Sequence, residues 1–188
     1  MLEYTARGGL LYVEGAADFD LADTLESGQC FRWRVLPDGF YEVRAGRKRA
    51  EFKQERELLI GRFVAATEFD SFWRNYFDLD YDYAAVKQIL RADPVMERAV
   101  AFCGGIHLLR QDCFEALICF IISQNNNIPR IKQIVSALCE AYGDGGFPTA
   151  ERLAALDIPD LACIRAGFRV KYILDAAKKV AAGEIDLS

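Results

Sequence analysis

The chain has 188 residues, 52% of them hydrophobic, with a mean hydropathy near zero, which bounds it as one large or two small globular domains and excludes disorder. Its formal net charge of −5 argues against a partner held by electrostatics alone, since nucleic-acid binders usually carry a basic excess. No stretch approaches about eighteen uninterrupted apolar residues, and no basic segment precedes an apolar one at the N-terminus, so neither a membrane span nor a secretory signal is expected.

The first region, from about Leu10 to Phe63, is a series of short strand-like runs, LLYVEG, FRWRV, FYEVRA, RKRAEFKQ and ELLIGR, divided by turn signals such as Pro37-Asp38-Gly39 and Gly46. Phe31, Trp33 and Val35 alternate with Arg32 and Arg34, the pattern of a strand with one buried face, and the hairpin spacing predicts an antiparallel sheet. A short helical turn is expected at Phe19 to Leu25, before Ser27-Gly28-Gln29. Arg44, Arg47, Lys48 and Arg49 read as a solvated basic strand.

After Ala65 the apolar period lengthens to between three and four. Phe69, Phe72, Trp73, Tyr76 and Phe77 form an aromatic stripe of the kind that usually builds core, and Val86, Ile89 and Leu90 follow on the next helix. Asp93-Pro94 starts a further helix that ends near Gly104-Gly105. The expected fold class is α+β: an antiparallel sheet domain over residues 1–65 and a helical domain over 66–188.

The helical part centres on Asp112 to Gly143. Asp112, with Glu115 three residues on, is a capping-box start. From Cys113 to Ile122 only Glu115 is charged, which predicts a helix covered on all sides. A second helix places Ile131, Ile134, Val135, Leu138 and Tyr142 on one face, with Pro129 in its first turn and a left-handed cap at Gly143. Between them lie Ser123, Gln124, Asn125, Asn126 and Asn127. One of Asn126 or Asn127 suffices as a helix cap. A spare asparagine at a loop tip carries an acceptor and two donors that can read a base edge, although capping alone is the commoner use of such residues. Further helices are expected at about Thr149 to Leu156, Ile158 to Arg165 and Val170 to Ala182.

The six cysteines, Cys30, Cys103, Cys113, Cys119, Cys139 and Cys163, include no CxxC pair and read as buried thiols of a reducing cytoplasm. His107 is the only histidine, so any zinc site, Ser-His or Cys-His mechanism would need it. It reads as a surface or core residue without a catalytic task, and neither a metal nor a cofactor is expected.

GQCFRWR, GIHLLRQDCFEALICFIISQNNNIPRI, FPTAERLAAL and AGFRVKYILDAAKKV resemble segments of the 8-oxoguanine DNA glycosylase family, in the same order and at similar separations, over nearly the whole chain. The resemblance implies an N-terminal sheet similar to half of a TATA-binding protein, followed by the start of a helix-hairpin-helix glycosylase core. It implies double-stranded DNA containing 8-oxoguanine as partner, with the damaged nucleotide flipped from the duplex. By position, Asn125 would enter the vacated space and bond the orphaned cytosine, Arg130 and Arg169 would donate to the same base, and Phe168 would wedge beside it where the family often has tyrosine. Gly28 would present its carbonyl to the flipped base, where 8-oxoguanine carries a hydrogen on N7 and guanine a lone pair. Without the resemblance, Gly28 would read as a turn before a strand.

The family's lysine nucleophile and the aspartate that follows it have no counterpart in these residues; Lys171, Lys178 and Lys179 match no catalytic position. The chain by itself is therefore expected to lack glycosylase and lyase activity, and an uncovered part of its core is expected to promote self-association. Four alternatives stay open: a fragment of a longer enzyme, a natural DNA-binding truncation, a glycosylase for alkylated bases, and a helical interaction protein with no DNA role. The expected location is the nucleoid in a bacterium or the nucleus in a eukaryote.

Overall fold

The computed structural model describes residues 2–187. Six strands, β1 (Glu3–Arg7), β2 (Leu10–Glu14), β3 (Trp33–Val35), β4 (Tyr41–Ala45), β5 (Lys48–Glu55) and β6 (Leu58–Arg62), form one sheet in the order β1-β2-β6-β5-β4-β3. The pairings β1–β2, β2–β6, β5–β6 and β3–β4 are antiparallel. β1 was not apparent in the sequence, because EYTAR carries no apolar alternation and is mostly exposed. The short helix α1 (Leu21–Glu26) interrupts the strands, with Asp20 as its N-cap.

Contacts divide the described residues into two compact units, residues 2–29, 33–43 and 49–110 in the first, and 30–32, 44–48 and 111–187 in the second. The change of period at Ala65 thus lies inside the first unit, where helical cover for the sheet begins. That cover is a helical run of α2 (Ala66–Glu68), a π-helical segment (Phe69–Trp73) and α3 (Arg74–Tyr76). The aromatic stripe does build core: Phe52 of β5 meets Phe69, Trp73 and Phe77 edge-on at centroid distances of 6.0, 5.1 and 5.2 Å. Beyond it, α4 (Tyr83–Leu90) and α5 (Pro94–Cys103) contain no buried residue, and Ile89, expected on an apolar face, is 75% exposed.

The strand around Trp33 departs from its alternation. β3 is an edge strand of three residues, so Val35 is 52% exposed, while the side chain of Arg32, just before it, is buried. Arg44, Arg47, Lys48 and Arg49 are exposed, as expected of a solvated basic strand, and Arg49 in addition binds the buried carboxylates of Glu42 (2.7 Å) and Glu51 (3.4 Å).

The second unit holds α6 (Cys113–Ser123), α7 (Ile128–Tyr142), α8 (Ala150–Ala154) and α9 (Val170–Ala181), with 3₁₀ turns at Asp160–Ile164 and Gly167–Arg169. Ile118 and Ile122 of α6, Ile131, Ile134, Val135 and Leu138 of α7, and Ile173 and Ala177 of α9 share its core. The segment expected as a helix from Ile158 is only the first of these 3₁₀ turns.

Three details correct the sequence reading of α6 and α7. Asp112 does cap the Glu115 N–H at 2.8 Å, but the Glu115 carboxylate turns to Arg32 at 2.9 Å, so only half of a capping box forms. α6 is not covered on all sides: Phe120 is 66% exposed and lines, with Leu117, Ile121, Phe168, Tyr172 and Ile185, a groove of about 380 Å³. Gly143 ends α7 at φ −88°, in right-handed rather than left-handed conformation. Glycine is required there by space, since a Cβ would stand 2.1 Å from the Gly146 carbonyl oxygen.

Candidate nucleic-acid interface

The loop between α6 and α7 sorts its asparagines by task. Asn127 caps α7, its Oδ1 accepting from the Arg130 N–H at 3.0 Å. Asn126 turns inward: its Nδ2 donates to the Ile122 carbonyl at 3.0 Å and its Oδ1 accepts from the Asn127 N–H at 3.0 Å. Asn125 is exposed, stands in left-handed conformation at φ 49°, and makes no side-chain hydrogen bond among the described residues. Asparagine tolerates that conformation better than other side chains, so the sequence suits a turn that points one amide outward.

Two arginines hold this loop against the segment that leads into α9. The Arg169 guanidinium donates to the Gln124 carbonyl (2.5 and 3.0 Å), the Asn125 carbonyl (2.8 Å) and the Ala166 carbonyl (3.2 Å). Arg130 donates from Nη2 to the carbonyl of Arg165 at 2.8 Å. That carbonyl belongs to another left-handed residue, φ 53°, which closes the first 3₁₀ turn. Phe168 is 57% exposed, lies 4.5 Å beneath the Arg169 guanidinium and meets Tyr172 edge-on at 6.4 Å.

The structure therefore joins Asn125, Arg130, Phe168 and Arg169 into one constellation in the second unit. Both arginines bond main-chain carbonyls here, an interaction their sequence positions did not signal. Gly28 lies in the first unit at φ 87°, between α1 and Gln29. Sequence reasoning also missed Gln29, whose side chain binds both the end of α1 and the link after α5. A lone glutamine beside a glycine carries no periodicity signal.

Other reactive side chains are quiet. Burial pushes the thiol pKa of Cys119 far up and that of Cys139 to about 11, so neither supplies a thiolate. Cys113 and Cys163 are exposed, contrary to the expectation of buried thiols throughout. Lys179 pairs with Asp175 at 2.9 Å, which raises its pKa and keeps it protonated. No group of three or more potential metal ligands occurs among the described residues, and no helix of the described chain is long and apolar enough to cross a membrane. His107 is a core histidine.

Residues 12–117 match the family described as 8-oxoguanine DNA glycosylase, N-terminal domain, and residues 118–185 match the HhH-GPD superfamily of base excision DNA repair proteins. The chain is 30% identical to the N-glycosylase/DNA lyase of Saccharomyces cerevisiae in an alignment 184 residues long that covers 85% of this chain and 49% of the relative. It is 29% identical to the DNA-3-methyladenine glycosylase of Bacillus subtilis in an alignment 129 residues long that covers 63% of this chain and 43% of the relative. Among solved structures, MBOgg1 in complex with a low-affinity DNA ligand is 42% identical, with a TM-score of 0.92 over 100% of this chain and 68% of its own. The 8-oxoguanine glycosylase/lyase of Clostridium acetobutylicum in its apo-form is 36% identical, with a TM-score of 0.91 over 100% of this chain and 68% of its own. The chain spans about half the length of the first curated relatives it matches. With a family match over more than half its residues, and structural likeness over all of them, this chain belongs to the 8-oxoguanine DNA glycosylase family.

Proposed function

We propose that this chain is the DNA- and lesion-binding part of a base-excision repair glycosylase/AP lyase for 8-oxoguanine. The observation that carries the reading is the Asn125 amide, left unbonded on a loop whose main chain is fastened by Arg169. An amide fixed at its base and free at its tip can bond a cytosine whose partner has been extruded. In this reading Arg130 and Arg169 keep further N–H donors for the same cytosine, Phe168 stacks beside it, and the Gly28 carbonyl tests the flipped purine for a hydrogen on N7. An undamaged guanine would set its N7 lone pair against that carbonyl, leaving two buried acceptors facing each other. With a net charge of −5, electrostatics alone does not carry this binding, so the reading expects lesion selectivity to contribute.

By this proposal the chain alone binds without cutting. A lysine nucleophile needs a lowered pKa. Lys179, paired with Asp175, has a raised one. Lys179 is therefore not the nucleophile of this reading, and the place of action is wherever the cell keeps its DNA. Similarity to the Bacillus subtilis DNA-3-methyladenine glycosylase supports a second reading, an alkylated purine as the lesion.

Fluorescence anisotropy with duplexes carrying 8-oxoguanine, guanine or 1,N6-ethenoadenine at one position separates the two. Preferential binding of 8-oxoguanine supports the first reading, preference for the etheno base supports the second, and equal binding to all three refutes both. Borohydride treatment of the 8-oxoguanine complex should leave no covalent adduct.

A further inference from the structure

We infer that Gln29 is a positioning residue that aims the Gly28 carbonyl, an inference that rests on the reading of Gly28 as the lesion-testing group. The carbonyl of Gly28 lies in the peptide plane it shares with the Gln29 nitrogen, so its direction is set by where the chain places Gln29. Gly28 cannot hold that direction by itself. It stands at φ 87° and, lacking a Cβ, has the freest backbone of any residue.

Gln29 is held by all parts of its side-chain amide. Nε2 lies within hydrogen-bond distance of the Thr24 carbonyl (3.1 Å), Ser27 Oγ (3.1 Å) and the His107 carbonyl (2.8 Å), so its two hydrogens are shared among three acceptors. Oε1 accepts from the Leu109 N–H at 2.9 Å. Bonding to the carbonyl of His107 and the N–H of Leu109 makes the amide act as a neighbouring strand's peptide would, in register with residues two apart.

The link it grips is itself hydrogen-bonded at several points. The His107 N–H donates to Thr24 Oγ1 (3.1 Å), and that hydroxyl donates to the Gly105 carbonyl (3.2 Å), which also accepts from the Asp20 N–H (2.8 Å). The Leu108 N–H donates to the Tyr83 hydroxyl (2.8 Å), and the His107 ring stacks on Tyr83 at 3.8 Å. Gly105 permits this close approach, because a Cβ there would stand 2.3 Å from that of Asp20. Ser27 and Gln29 are thus tied down on both sides of Gly28, and the clamp closes entirely within the first unit.

The test measures, for the full 188-residue chain, the ratio of dissociation constants for guanine and 8-oxoguanine duplexes opposite cytosine. Gln29→Ala should lower that ratio about tenfold or more while affinity for the undamaged duplex stays within about twofold, as expected when a hydrogen-bonded discriminator is released rather than removed. Gln29→Met fills much the same space but offers neither donor nor acceptor. It should lower the ratio as the alanine does, and it serves as the reporter if the alanine variant does not fold by circular dichroism. A ratio unchanged in a folded variant overturns the inference, and so does an equal loss of affinity for both duplexes. Absence of any 8-oxoguanine preference in the unsubstituted chain overturns the reading of Gly28 together with it, so the two failures are distinguishable.

Discussion

The guanidinium of Arg169 donates to the main-chain carbonyl of Asn125 at 2.8 Å, so the residue with the unbonded amide is fastened through its backbone to the N-cap residue of α9. Arg169 thereby sets the starting point from which the Asn125 side chain reaches. Arg169→Lys should weaken binding to an 8-oxoguanine duplex about tenfold, because an ammonium cannot span the Gln124, Asn125 and Ala166 carbonyls as a planar fork does. These bonds are largely solvent-exposed, so thermal unfolding should show a loss of only about 1 kcal/mol.

A second dependence lies in the ion pair of Arg32 and Glu115, both buried, with Arg32 Nη1 also donating to the Gly46 carbonyl at 3.1 Å. Burial raises the Glu115 pKa despite the opposing pull of Arg32. Arg32→Met should destabilise the chain at neutral pH by about 3 kcal/mol, the cost of an uncompensated buried charge. In that variant the folded state holds the Glu115 proton still more tightly. Its stability deficit should therefore shrink as pH falls through the raised folded value toward the ordinary 4.5. Denaturant melts of both proteins from pH 7 to 5 check this. A deficit constant with pH would show that Glu115 stays ionised.

His107 sends its Nδ1 hydrogen to the Phe77 carbonyl at 3.0 Å, and its buried Nε2 has no hydrogen-bond partner among the described residues. Burial lowers its pKa below 6.5, an effect that the main chain of Phe77 and Asp18 and then the Asp78 carboxylate oppose and Lys87 reinforces. The unfolded chain then takes up the proton first, so the contribution of His107 is full above about pH 6.5 and is lost as pH falls toward the lower folded value. His107→Phe should keep the stacking on Tyr83, cost about 1 kcal/mol at pH 7.5 for the orphaned Phe77 carbonyl, and remove the decline between pH 6.5 and 5. Chemical denaturation at half-unit pH steps reads both effects.

The groove beside Phe120 predicts self-association. Light scattering should show a molecular mass that rises with concentration, and Phe120→Ser should return it to the monomer value with little change in melting temperature, because the side chain is 66% exposed. A monomer at all concentrations would contradict this expectation.

Much of the fold could be read from local pattern. Five of the strands, the caps at Asp93, Asp112 and Asn127, and the core face of α7 follow from periodicity and cap chemistry, which act over a few residues. What escaped was set by partners distant in sequence. Glu115 left its capping box for Arg32, 83 residues away, and Gln29 found Leu109, 80 residues away. Phe120 looked buried because its neighbours are apolar, yet the groove it lines is open among the described residues. In the asparagine loop, the sequence offered Asn126 or Asn127 as the cap and the resemblance singled out Asn125; the geometry gives the cap to Asn127, turns Asn126 to the Ile122 carbonyl and leaves the Asn125 amide unbonded.

The most direct test of that leftover asparagine is the affinity for 8-oxoguanine paired with cytosine against 8-oxoguanine paired with adenine. The unsubstituted chain should prefer the cytosine duplex, and Asn125→Ala should reduce that preference about tenfold, the scale of one specific base contact, while leaving the melting temperature unchanged. The same cytosine preference in both proteins would contradict the account.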